Sequence, residues 1–273
     1  MPIGTAREAY DDLAPDYDLL TAEYPYERWL AALEALARAH GLDGHDVLDV
    51  ACGTGKSFLP LLERGWRVVG CDISPAMLAV ARTKAPTARL VQADMRALGR
   101  LGEFDLVTCL DDALNYLLEE RELEAALAGI RGNLRPHGIA IWDLNTLAQY
   151  RASFSRDHTT DRDGVFLAWR GETAASLEPG GPAQATVDVF APAAGGLWER
   201  RSSVHRQRHW PESVVRAVAA RAGLRILAVH GQHHGAVLEP ELDELVHSKA
   251  VYLACRDDRS TGEEVMPVTI GSI

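Results

Sequence analysis

The chain has 273 residues, 47% hydrophobic and 25% charged, and its 39 Asp+Glu against 28 Lys+Arg give a formal net charge of −11. Such a composition belongs to a folded chain with a sizeable core and excludes disordered, collagen-like and low-complexity proteins. The acidic balance opposes a phosphate backbone, so no nucleic-acid partner is expected.

The elements follow in order. A helix is predicted over Tyr26–His40, with Trp29, Leu30, Leu33, Leu36 and Ala37 on one stripe and Gly41 as its stop. Val47–Val50 reads as a strand, and Ser57–Arg64 as a helix that tolerates Pro60 in its first turn. Arg67–Asp72 is a strand. Ser74 caps the next helix, Pro75 takes its first position and Pro86 ends it. Strands at Arg89–Ala93 and Phe104–Leu110, a helix over Glu119–Leu134, a break at Pro136–Gly138 and a strand over Gly138–Leu144 continue the alternation. Repeated strand–helix units predict a parallel sheet covered on both faces.

From about Thr146 to Trp210 the helix signal fades. Val165–Arg170, Thr186–Phe190 and Leu197–Trp210 read as strands separated by Gly/Pro turns, which predicts an antiparallel insertion. A helix over Glu212–Ala222 and strands at Arg225–Val229 and Ala250–Cys255 resume the earlier order, and a loosely held tail follows. Cys52, Cys71, Cys109 and Cys255 form no Cys-x-x-Cys pair and read as reduced thiols. No apolar run has the length of a membrane span and no signal-peptide pattern opens the chain, so a cytoplasmic protein without membrane partners is expected.

The chemistry begins at Asp49-Val-Ala-Cys-Gly-Thr-Gly55, where a strand runs through a small-residue turn into a helix. Glycines bring a ligand close to the backbone, and the helix start offers free N–H groups. Asp72 closes the second strand, 17 residues past Gly55, and Asp94 follows the third, 22 residues past Asp72. The first of these acids suits ribose hydroxyls and the second an adenine amino group, both on the carboxyl edge where open α/β sheets bind ligands. Two other nucleotide motifs fit worse. A phosphate loop needs glycine five residues before Gly55, where Val50 stands, and a dinucleotide fingerprint needs its third glycine at Phe58.

Together with Gly70-Cys-Asp-Ile-Ser-Pro-Ala-Met-Leu78, Gln92-Ala-Asp-Met95 and Phe104-Asp-Leu-Val-Thr108, this turn resembles the class I S-adenosylmethionine-dependent methyltransferases. Within that family it is similar to small-molecule enzymes with an N-terminal helical cap and a β insertion, such as sugar-amine and glycine N-methyltransferases. The resemblance implies an α/β, Rossmann-like seven-stranded, mostly parallel sheet with an inserted antiparallel β lid. The core would span residues 1–146 and 211–256 with its helical cap, the lid 147–210 and the tail 257–273. The implied cofactor is S-adenosylmethionine. Asp49 and the Ala51–Gly53 backbone would hold its methionine end, and Asp72 its ribose. Ile73 and Met77 would pack near the adenine, Asp94 and Met95 would bind the adenine edge, and Leu110 would lie behind the sulfonium. The resemblance also places Tyr17 at the cofactor.

Three segments are candidates for the acceptor side. The first runs from Tyr10 through Tyr17 to Trp29, where aromatic faces attract a sulfonium. The second is Asp111-Asp-Ala-Leu-Asn-Tyr116, with Asp143 and Asn145 at the same edge; its adjacent acids orient an amine or accept a proton. The third is Glu199–His209, polar on both faces of a strand. Relatives often carry a His-x-x-Arg pattern there, matching His205 and Arg208, with an acid two residues before the histidine where this chain has Ser203. His205 is the leading base, with Tyr17, Asp111 and Arg208 as further catalytic candidates. Gln232-His233-His234 reads as an exposed loop, and no metal is expected, because zinc would need three or four ligands at motif spacing. The expected function is methyl transfer to a small molecule at N or O, or at carbon, in natural-product tailoring. A nicotinamide-dependent oxidoreductase and a nonenzymatic cofactor-binding module are the alternatives. An unpaired lid edge offers a second copy a place to form a homodimer.

Overall fold

The computed structural model describes residues 5–233 and 235–258. His234 and the tail beyond residue 258 lie outside them. The helices are α1 (Ala6–Leu13), α2 (Tyr17–Leu20), α3 (Tyr26–Ala39), α4 (Leu59–Glu63), α5 (Pro75–Lys84), α6 (Glu120–Asn133), α7 (Leu147–Gln149) and α8 (Glu212–Arg221). The core strands are β1 (Asp46–Val50), β2 (Arg67–Asp72), β3 (Arg89–Gln92), β4 (Phe104–Cys109) and β5 (Leu134–Asn145). The insertion supplies β6 (His158–Arg162), β7 (Val165–Gly171), β8 (Pro182–Pro192) and β9 (Trp198–Arg208), and β10 (Leu224–His233), β11 (Val237–Glu239) and β12 (Lys249–Arg256) complete the chain.

One sheet has eight strands in the order β11-β10-β12-β5-β4-β1-β2-β3, one more than expected. β3, β2, β1, β4 and β5 run parallel, and β12, β10 and β11 join with antiparallel pairings. The parallel strands read as continuous apolar runs because both faces are covered. α6 and α8 bury Leu127, Ile130, Val215 and Val218 on one face, and α3, α4 and α5 bury Trp29, Leu33, Leu61 and Leu78 on the other. Strand order reverses between β1 and β4, which opens a crevice at their carboxyl ends.

The helix signals hold locally. The Ser74 hydroxyl accepts from the Met77 N–H at 3.0 Å, with Pro75 in the first turn of α5. At the N-terminus, Thr5 and Glu8 close a capping box on α1. The Pro136–Gly138 break is a bulge inside β5, where pairing slips from Phe104↔Leu134 to Leu106↔Ile139. β6 and β11 were not expected. β6 is the polar run His-Thr-Thr-Asp-Arg at a sheet edge, and β11 has only three residues, too few to show alternation. No described helix is long and apolar enough to cross a membrane.

The antiparallel sheet, β6-β7-β8-β9, stands over the crevice side of the core. α1 packs between it and α5, with Leu13, Ala14, Met77, Val187 and Val189 in one buried cluster. β9 buries a polar face of Ser203, His205 and Gln207, while the intervening Val204, Arg206 and Arg208 are more exposed.

Candidate active site

A cavity at the reversal point is floored by the turn after β1 and walled by the ends of β2 and β4. Ala51, Gly53, Asp72, Ile73, Met77, Met95, Leu110, Asp111 and Tyr17 all line it. The turn is left-handed at Ala51 (φ 57°), Gly53 (φ 52°) and Gly55 (φ 88°). A Cβ on Gly53 would meet nothing within 4 Å, so that backbone faces open space. At Gly55 a Cβ would lie 2.7 Å from Phe58 Cζ. Phe58 is fully buried beneath the turn, filling the space that a dinucleotide fold gives to its third glycine.

Asp72 organises the turn. Its Oδ2 accepts from the Gly53 N–H at 2.8 Å and its Oδ1 from the Ser74 N–H at 2.8 Å, and burial raises its carboxyl pKa. Asp49 lies under the floor, outside the cavity lining. It accepts from the Ser57 hydroxyl at 2.5 Å and the Thr108 hydroxyl at 2.6 Å, and burial pushes its pKa up to about 7. Lys56, next to Gly55, donates to the Thr21 carbonyl at 2.7 Å and its hydroxyl at 2.8 Å. Thr54 donates to Asp18 at 2.5 Å, so the N-terminal segment is tied to the turn. Asp94 borders an adjoining groove that shares Ala51, Ile73, Met95 and Tyr116 with the cavity. Arg96 beside it, at 2.6 Å, lowers its pKa.

Beyond β4 the chain makes a second left-handed turn, at Asp111 (φ 58°) and Asp112 (φ 50°). The buried Asp143 carboxylate holds it, accepting from the Asp111 N–H at 2.7 Å and the Asp112 N–H at 3.0 Å. Lys249, from β12, lies 2.6 Å from Asp143 and 3.0 Å from Asp112. Burial works against the Lys249 charge, yet Asp143, Asp112 and Asp111 together hold its ammonium well above the usual range. Burial raises Asp111, to which the Tyr26 hydroxyl donates, and pushes Asp143 up to about 6. Three carboxylates around one ammonium leave this corner able to carry net negative charge. A lone lysine before a strand gave Lys249 no signal in the sequence.

A second cavity, of about 350 Å³, shares Tyr10, Tyr17 and Tyr116 with the first and reaches the antiparallel sheet. Its wall includes His205, Gln207, Trp169, Asp112 and Asn145. Tyr116 OH lies 2.7 Å from His205 Nδ1, Tyr10 donates to Tyr116 at 3.1 Å, and Ser203 Oγ lies 3.0 Å from His205 Nε2. Burial pushes the His205 pKa down to about 4, leaving a neutral imidazole at neutral pH. Asn145 donates to Gln207 Oε1 at 3.0 Å, but its own buried Oδ1 has no partner. Arg208 is not brought to either cavity. It projects from the other face of β9, donates to the Gly180 and Leu118 carbonyls at 3.0 and 2.9 Å and lies over the Trp210 ring. Of the aromatic candidates, Trp29 is core, whereas Tyr26 lines the first cavity.

The family described as "Methyltransferase domain" matches residues 47–138, which hold the turn and the β2 and β3 acids. A dTDP-3-amino-3,4,6-trideoxy-alpha-D-glucopyranose N,N-dimethyltransferase of Streptomyces venezuelae is 29% identical over 231 residues, 82% of this chain and 94% of its own. The chain thus carries a match to a methyltransferase domain over residues 47–138. A dTDP-3-amino-3,6-dideoxy-alpha-D-glucopyranose N,N-dimethyltransferase of Streptomyces fradiae is 39% identical over 118 residues, 42% of this chain and 46% of its own. Among solved structures, an S-adenosylmethionine-dependent methyltransferase from Clostridium acetobutylicum ATCC 824 shares the fold, with TM-score 0.76 and 24% identity over 90% of this chain and 98% of that one.

Proposed function

We propose that this methyltransferase N-methylates a small, polar, amine-bearing molecule of the amino-sugar type, held in the second cavity. The unpartnered Asn145 Oδ1 carries the reading. A buried carbonyl oxygen without a donor costs free energy, which an acceptor N–H or O–H relieves. The surrounding mixture supports the same class: Tyr10, Tyr17 and Trp169 offer aromatic faces, and Asp112, Gln207 and His205 offer hydrogen bonds. A volume of about 350 Å³ is at the small end for such sites. The names of the two Streptomyces relatives agree, and both place such acceptors in amino-sugar chemistry.

The first cavity fits the cofactor. The open space over Gly53 leaves the backbone approachable; Asp72 would accept from the ribose hydroxyls and Asp94, in the adjoining groove, from the adenine amino group, with Ile73, Met77 and Met95 giving apolar packing between them. Ala51 and Gly53 would face the methionine end, Asp49 would brace that turn from below, and Leu110 would back the sulfur. S-adenosylmethionine bound there supplies an electrophilic methyl group, which passes to the acceptor as the C–S bond breaks. Tyr17, shared by both cavities, and Asp111, in the lining of the first, favour positive charge, Tyr17 through its ring face and Asp111 through its carboxylate. The shared wall of tyrosines excludes water and aligns the amine. His205 takes the proton that the amine loses, through Tyr116: the phenol donates to Nδ1 as it accepts from the substrate. Ser203 orients the ring from Nε2, the place relatives often give to an acid. Arg208 would act only by fixing β9.

Methyl-labelled S-adenosylmethionine, offered with a panel of amino sugars, amino acids and phenols, tests the reading. Label on the amine is expected. Label confined to phenols or to carbon would overturn it.

A further inference from the structure

We infer that His233, Glu239 and His247 form a binding site for one divalent metal ion of the zinc class, separate from both cavities. His233 Nε2 lies 3.0 Å from Glu239 Oε1, and His247 Nε2 lies 3.1 Å from Glu239 Oε2. The candidate ligand atoms of all three residues lie within 4.8 Å of one another. Two imidazoles and a carboxylate are a recognised zinc ligand set, with water completing the tetrahedron.

The arrangement is built from three places in the chain. His233 ends β10, Glu239 ends the paired β11, and His247 comes from the following loop. The two imidazole rings are 4.5 Å apart, close enough that two protonated rings would repel. His247 is buried and its orientation fixed: its Nδ1 lies 2.9 Å from the Asp243 N–H and 3.1 Å from the Asp243 carbonyl. Binding a metal at Nε2 would move the ring proton to Nδ1, which would turn from accepting the Asp243 N–H to donating to the Asp243 carbonyl, the outer bond that metal-bound histidines usually make. Gly231 makes room for the ring, since a Cβ there would lie 2.3 Å from His247 Nδ1. The side-chain exposures of His233 (38%) and Glu239 (51%) leave the open position to solvent. Counting cysteines and motif spacing does not detect this set, because two strands and a loop assemble it.

The site would fasten the 243–247 loop to the β10–β11 hairpin. That loop also holds the base of the antiparallel sheet, through Glu244 Oε2 at 2.9 Å from His209 Nε2 and the Ala148 N–H donating to the Glu244 carbonyl at 2.8 Å.

The test is equilibrium dialysis of tag-free, chelator-stripped full-length protein against zinc ions, with bound metal measured by mass spectrometry and Tm recorded with and without zinc. The expected result is one zinc per chain and a raised Tm. Affinity should fall at least tenfold in Glu239→Gln, at an exposed position, in His233→Ala, at a half-buried one, and in His247→Ala, with the exposed His137→Ala as a control that binds normally. The inference is overturned if the wild-type chain takes up no zinc, or if Glu239→Gln and His233→Ala bind it as the control does. Neither result depends on the identity of the methyl acceptor.

Discussion

Tyr116 OH lies 2.7 Å from His205 Nδ1, a hydrogen bond that joins the loop after β4 to a strand of the inserted sheet where the two cavities meet. Burial keeps this histidine neutral at neutral pH, its pKa pushed down to about 4.

Replacing the base should therefore slow turnover without loosening the cofactor. His205→Ala is expected to lower kcat by about 10²-fold or more, the usual contribution of a positioned base. Tyr116→Phe should lower it in the same direction. Cofactor affinity, measured by calorimetry, should stay within twofold in both. Because the imidazole charges only near pH 4, wild-type kcat should show no histidine limb near pH 6.5. An unchanged kcat in both variants would remove His205 from the mechanism.

Gly53 and Gly55 should respond differently to alanine. Both have left-handed backbone, which costs a non-glycine residue about 1–2 kcal/mol. At Gly53 the new methyl enters open space over the cavity floor, so cofactor affinity should suffer most. At Gly55 it meets Phe58, so stability should suffer most. Urea midpoints and cofactor titrations of the pair separate the two effects.

The Lys249 cluster should behave as a buried ion network. Lys249→Met leaves Asp111, Asp112 and Asp143 without their cation and is expected to cost about 3–5 kcal/mol at neutral pH. The loss should shrink towards pH 5, as protonation relieves the uncompensated carboxylates. A cost that does not vary with pH would contradict the electrostatic account.

Asp49 gives a linkage of known sign. Its folded pKa of about 7 exceeds the unfolded value near 3.9, so the folded state holds more protons between those limits. Stability of the cofactor-free protein should fall as pH rises from about 4 through about 7, by on the order of 4 kcal/mol for this group alone. Asp49→Asn should flatten that slope, read from urea unfolding at pH 5 and pH 8.

Much of the fold was legible because its signals are local. Ser74-Pro75 marks the start of α5 by itself, and the acids at positions 72 and 94 declare strand ends. Glu199–His209 is polar on both faces of its strand, and Ser203, His205 and Gln207 form the face that is buried. What was not legible depends on assembly. β6 is polar and pairs only because β7 lies beside it, Lys249 gains meaning only from three acids brought by two other segments, and Asp49 looked like a ligand until Ser57 and Thr108 were seen to occupy its oxygens. Arg208 sits one residue out of phase with His205 on a strand whose side chains alternate, so it faces away.

A crystal structure with the demethylated cofactor, S-adenosylhomocysteine, tests the central claim most directly. The ribose should lie against Asp72 and the adenine edge against Asp94 and Met95, with the sulfur turned past Tyr17 and Asp111 towards the chamber of Asn145 and His205. A nucleoside bound elsewhere, or a sulfur pointing away from that chamber, would contradict the account.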